Sequence, residues 1–168
     1  ALYVYSLRAS FGLGRRATSK IFPIALAILT LFPAVVQLGI DTGRDGAHHL
    51  ALARQLAPLR DEGVLVLGSG NIVHNLRLFD FRDPKPLGWA LEADAAIRDM
   101  IAGRRHDALA AYPERPEARL PVPTPEHYLP LLYAVALQQD GEETGFFNVA
   151  VPGSVSMTSV LIGARDEA

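Results

Sequence analysis

Four consecutive apolar residues, Val64-Leu65-Val66-Leu67, run directly into Gly68-Ser69-Gly70-Asn71. A strand with no polar position needs cover on both faces, so this run predicts a buried strand in a layered α/β sheet. The glycine-rich turn at its C-terminal end is where open α/β sheets bind ligands. The flanking chain fits such a fold. Asp45 to Glu62 has helical spacing, with Leu50, Ala53, Leu56 and Leu59 on one face, Asp45 as N-cap and Gly63 as the stop. Further helices are expected over Trp89–Ile101, ended by Gly103, and over His127–Gln138, with Leu131, Leu132, Val135 and Ala136 on its apolar face. Between them, 104–125 is rich in Pro, Arg and Glu and reads as surface loop with some helix. The tail alternates as two strands, Phe146–Val151 and Ser154–Ile162, around a Pro152-Gly153 turn. The fold class read from this order is α/β, a layered mixed sheet flanked by helices.

The first forty residues differ from the rest. No acidic residue precedes Asp41, and Arg8, Arg15, Arg16 and Lys20 lead into an uncharged apolar run from Ile21 to Ile40. Its length and basic flank suit a signal anchor or membrane helix. Pro23, Pro33 and Gln37 weigh against that, and Pro33 followed by 34–38 reads better as a buried strand. A basic and apolar segment over 1–31 is therefore set apart from 32–168. A shifted reading frame before Phe32 would fit as well.

The 168 residues suffice for one domain with a hydrophobic core, and a net charge of −2 without a broad basic face excludes a nucleic-acid binder. No cysteine is present, so thiolate metal sites, disulfides and cysteine nucleophiles are excluded. Any metal must sit on His, Asp or Glu, a donor set that suits Fe(II), Mn(II) or Zn(II). The absence of cysteine is compatible with a cytoplasmic location. Two stretches can carry chemistry. Gly68 to Asn75 fails as a nucleophile elbow, because Leu67 and Asn71 stand where that motif needs glycine, and Val73 replaces the third glycine of a dinucleotide fingerprint. What remains is a turn that aims His74 and Asn75 from a strand end, to ligate a metal, to move a proton or merely to hydrogen-bond. In Pro123 to Pro130, Thr124 can cap a helix whose first turn carries Glu126 and His127. The plainer reading there is a capped helix start with two solvated polar residues. At most one of His48 and His49 can face inward, and His106 reads as solvated.

Taken together in one order, four segments are informative: Leu59-Arg60-Asp61-Glu62-Gly63, Gly68 to Arg77, Pro123 to Tyr133 and Gly153-Ser154-Val155-Ser156-Met157. Over about residues 32–163 the chain resembles the LigB-like, DOPA-dioxygenase-type branch of class III extradiol dioxygenases. The resemblance implies an incomplete LigB-like catalytic domain and a non-haem metal enzyme that opens a small catechol beside its hydroxyls with O2. It implies Fe(II), with Zn(II) as the alternative. His74 matches the family's active-site histidine, proton shuttle or metal neighbour, and His127 matches a second, so both are candidates for metal and catalysis. By the same resemblance Glu126 stands beside His127, around the substrate and the ligands rather than on the metal, Asn71 and Asn75 orient His74, and Tyr128 lines the aromatic substrate's pocket. The expected partners are an aromatic diol and O2, with a homo-oligomer left open. The chain departs from the family by lacking its His-Gly-Ser-Pro and Ser-Ala-His-Trp motifs, both metal-ligating, and no histidine precedes His48. This departure implies an N-terminally truncated member. The alternative function is an inactive family fragment, acting as a weak metal-binding or interaction module.

Overall fold

Asp45 accepts the His48 amide proton on its side chain and starts helix α1, Gly46–Arg54, as the sequence leads one to expect. The expected single helix to Glu62 is broken at Pro58, which has no N–H to continue the ladder and instead opens a short second helix, α2, Pro58–Asp61. Gly63, with φ of +79°, ends α2: its N–H bonds Arg60 O and the Val64 N–H reaches back to Leu59 O. This 6→1 and 5→2 pairing needs a left-handed residue, hence the glycine. Only Leu50 and Ala53 of the expected stripe are fully buried. Helix α3, Gly88–Ala102, buries Ala90, Ala93, Asp94, Ile97, Met100 and Ile101 along one face. The Arg- and Pro-rich stretch contains α4, His106–Ala111, and two 3-10 turns, Tyr112–Glu114 and Pro116–Arg119. Helix α5 spans Leu129–Val135, with Pro130 in its first turn, the one place a helix tolerates proline.

This is a computed structural model, and it describes residues 36–164. The segment 1–31 and nearly all of the apolar run lie outside the described residues. Two sequence expectations fail inside them. Val36 to Leu38 is exposed and forms no strand. Val64 to Leu67 pairs with no neighbour among the described residues, and Leu65 and Leu67 are 76 % and 83 % exposed. The described sheet is a single antiparallel pair, β1, Glu143–Phe147, with β2, Ser159–Ala164, in which Phe146 faces Val160 and Phe147 faces Ser159. The tail strands are thus shorter and further apart than their alternation suggests. Residues 148–158 leave the ladder: Gly153, at φ +56°, turns the chain, and His74 forms an isolated antiparallel bridge to Val155.

The core of the unit that begins at Ile40 sits between α1, α3, α4 and α5, on Leu50, Val73, Ile97, Ile101, Leu109, Leu129 and Leu132. His49, not His48, faces inward, its ring bonded to the Tyr133 hydroxyl and the Asp41 carbonyl. His106 is half-buried rather than solvated and bonds Gln138, and burial lowers its pKa. The architecture is mixed helix with a small sheet. No helix among the described residues is long and apolar enough to cross a membrane.

Candidate metal centre

The glycines of the Gly68-Ser69-Gly70-Asn71 turn serve a close approach. A Cβ on Gly70 would stand 2.0 Å from the His127 carbonyl oxygen, and one on Gly68 would stand 2.5 Å from Pro130 O. The turn therefore lies directly against the start of α5, and the Asn71 N–H donates to His127 O at 2.9 Å. This contact joins the two stretches singled out from the sequence.

Three more backbone contacts fix His74. Its N–H donates to Pro121 O, the Asn75 N–H donates to Ser154 O, and the Ser156 N–H donates to Val73 O. The result is a buried His74 whose ring lies 4.5 Å from that of the exposed His127, centroid to centroid. Glu126 completes the group: one ligand atom from each of His74, Glu126 and His127 lies within 4.8 Å of the others. Glu126 and His127 occupy the turn just before α5 rather than its first helical turn, since the helix starts at Leu129.

Electrostatics sets the protonation of the group. Burial, then the neighbouring His127, push the His74 pKa below that of a free imidazole, against the opposing pull of Glu126. The Thr124 hydroxyl donates to Glu126 Oε1 at 2.6 Å, the main reason the Glu126 pKa is lowered. The Thr124 oxygen also lies 3.4 Å from His74 Nε2. His74 Nδ1 is a buried nitrogen without a hydrogen-bond partner among the described residues. A neutral imidazole, an ionised carboxylate and an open second imidazole fit a divalent first-row metal.

Four sequence expectations change. Thr124 does not cap α5, which has no side-chain cap; it bonds Glu126 instead. Asn71 and Asn75 make no hydrogen bond to the His74 ring among the described residues. Their amides donate to Ser156 O and Leu120 O, so they hold the backbone on either side of His74. Tyr128 does not line the groove beside His127: it is fully buried, stacks on Tyr112 and donates to Leu109 O, and burial raises its pKa. The Gly153 to Met157 motif, to which the sequence assigns no task, supplies the extended segment that bridges to His74. Beside His127 an open groove of about 350 Å³ runs between residues 64–68 and β2 over a floor of Pro130, Leu131 and Ala134.

The chain is 38 % identical over 139 residues to a 4,5-DOPA dioxygenase extradiol of Escherichia coli K12, covering 77 % of this chain and 49 % of the relative. It is 40 % identical over 116 residues to the protein of that name in Portulaca grandiflora, covering 66 % of this chain and 41 % of the relative. The Beta vulgaris protein is 33 % identical over 111 residues, with the same coverage. The chain spans about half the length, or less, of the curated relatives it matches. A crystal structure of an uncharacterized Escherichia coli K12 protein superposes with a TM-score of 0.67 at 35 % identity, covering 73 % of this chain and 52 % of that one. No family model matches.

Proposed function

Because the matched part of the chain belongs to the LigB-like class III extradiol dioxygenases, we propose that the protein opens the ring of a small catechol, DOPA-like, with O2. The observation that carries this reading is the convergence of His74, Glu126 and His127. These three residues would hold the metal, Fe(II) in this reading with Zn(II) as the alternative. When bound, such a metal supplies Lewis acidity toward the diol oxygens and open positions for small ligands. The chain's own residues do the rest. Glu126 and His127 are exposed and His74 is buried, so the diol enters from the Glu126 and His127 side. Where the metal rests on Glu126 and His127, His74, neutral and beside Thr124, would accept a diol proton at Nε2. Asn71 and Asn75 keep the segment carrying His74 in place while that proton moves.

The layered α/β sheet belongs to the same proposal, with residues 32–168 as the C-terminal portion of the catalytic domain. Val64 to Leu67 would be a strand of that sheet, paired across the open groove by a strand from the remainder of the family fold. Its exposed apolar side chains support this reading.

Anaerobic loading with Fe(II), followed by O2 and a panel of catechols that includes DOPA, tests the function. The expected result is one metal per chain and a coloured ring-opened product, both lost in His127→Ala and in His74→Ala. Metal retained with no product from any catechol would overturn the dioxygenase reading and leave a metal-binding module. No metal retained would overturn the site itself.

A further inference from the structure

Helix α3 buries one carboxylate in an otherwise apolar face. Asp94 is 2 % exposed, and all the bonds it makes are strong in kind. Its Oδ2 accepts from Arg98 Nε at 2.8 Å, and its Oδ1 accepts from the Ser156 hydroxyl at 2.7 Å and the Thr158 hydroxyl at 2.6 Å. A carboxylate without these donors would be costly to bury, so the residues it binds are fixed with it. Ser156 is the residue of interest. Its N–H donates to Val73 O and its carbonyl accepts from the Asn71 side chain, so it grips both sides of the turn that leads to His74. Two residues earlier, Ser154 O accepts the Asn75 N–H and the Ser154 hydroxyl donates to Asn75 O. Thr158 N donates back to the Ser156 hydroxyl, closing a loop of bonds around the carboxylate.

We infer that Asp94 is a positioning residue for the His74, Glu126 and His127 site, acting through Ser156 on the segment that carries His74. Asp94 touches none of the three; the rigid α3 helix is the reference against which the turn is set. This inference rests on the reading of that trio as the metal centre. Polar groups one step removed from metal ligands typically change affinity by about 10–100-fold when lost.

The test compares Asp94→Ala, Asp94→Asn and Ser156→Ala with the wild-type chain in two measurements. The first is amide hydrogen exchange, which needs no metal. In Asp94→Ala the Asn75 and Ser156 amides should exchange about tenfold faster or more, while Leu132 and Val135 in α5 keep their rates. The second is Co(II) titration, in which Asp94→Ala should bind about tenfold more weakly or worse. Asn retains an oxygen that accepts both hydroxyls, so Asp94→Asn should lie within about threefold of wild type in both. Should Asp94→Ala fail to fold, Ser156→Ala keeps the Asp94 bonds to Thr158 and Arg98 and should show the same local pattern. Equal acceleration of loop and α5 amides would reduce Asp94 to a core residue and overturn the inference. So would loop amides and Co(II) affinity that stay at wild-type values. If wild type binds no Co(II), the metal-site reading fails, and the positioning reading fails with it unless exchange still shows the local effect.

Discussion

Replacing Gly70 with Ala puts a methyl group where the backbone of the α5 start already lies. The added Cβ would stand 2.0 Å from His127 O and 2.9 Å from the His127 carbonyl carbon. Carbon atoms in ordinary contact sit about 3.5–4.0 Å from their neighbours. The obstacle is main chain rather than the end of a flexible side chain, so the two segments must part by more than about 1 Å. The Asn71 N–H bond to His127 O, now 2.9 Å, does not survive such a movement. Overpacking of this kind costs about 1–3 kcal/mol and the lost bond about 1 kcal/mol, so Gly70→Ala should cost about 2–4 kcal/mol. In a domain of this size the loss lowers Tm by roughly 5–15 °C. Gly88, at the start of α3, is the control, since a Cβ there meets nothing within 4 Å. Gly88→Ala should be neutral or stabilising by about 0.5 kcal/mol through helix propensity. Thermal melts by circular dichroism on the two variants measure the difference, and Co(II) titration should show weakened binding in Gly70→Ala only. If the two variants melt together, the close approach of the turn to His127 is not what the glycine serves, and the joining of the two motifs falls with it.

Other variants separate the fold from the site. The Glu142 pKa is held down to about 2, chiefly by the hydrogen bond from Arg60. Its folded-state pKa lies below the ordinary 4.5, so it contributes stability that is present above that value and lost as pH falls toward 2. Both partners keep some solvent contact, which brings that contribution to about 1–2 kcal/mol; Glu142→Gln should therefore flatten Tm against pH between about pH 5 and 2, and an unchanged acid limb would contradict this. Tyr128→Phe should cost about 1 kcal/mol by removing the hydroxyl's bond to Leu109 O, which keeps the Tyr112 N–H as a donor, and Co(II) affinity should stay unchanged. A drop in affinity there would return Tyr128 to the site. Glu126→Gln removes an exposed charge but keeps an oxygen that can accept the Thr124 hydroxyl, so its Tm should stay close to wild type while metal binding by calorimetry weakens about tenfold or more.

The sequence was readable where local chemistry decides. Asp45 before α1, Gly63 after α2 and Gly103 after α3 act through bonds within a few residues, and each stands where its type leads one to expect. The two motifs holding His74 and His127 were likewise recognisable as a pair. Their meeting was not, because it depends on backbone contacts between Gly70 and His127, far apart in the chain. The same limit hid the roles of Asn71 and Asn75, whose amides reach Ser156 and Leu120 rather than His74. An aromatic beside a candidate ligand reads as a pocket wall, whereas the Tyr128 ring turns into the core toward Tyr112. Asp94 did leave a signal: it falls on the helical face of Ala90, Ala93 and Ile97, where a carboxylate needs partners. Ser156, in the Gly153 to Met157 motif that carries no assigned task, and Thr158 just beyond it join Arg98 as those partners.

Val64 to Leu67 shows where pattern and local structure separate. An apolar run predicts burial, and burial needs a neighbour that the run cannot itself supply. Among the described residues none pairs with it, and its side chains stand open beside the groove under β2. Yet the following turn keeps its place, because Gly68 and Gly70 are fixed by α5 and Asn71 by Ser156 rather than by a sheet. The position of His74 therefore depends on helices α3 and α5 and on the Gly153 to Met157 segment, all within the described residues. It follows that the metal-binding geometry of this trio should not require the unpaired run to be covered, whereas resistance to aggregation should. A strand-shaped partner that fills the groove would then raise solubility and slow exchange at Leu65 and Leu67, and leave the separation of His74 from His127 as it is.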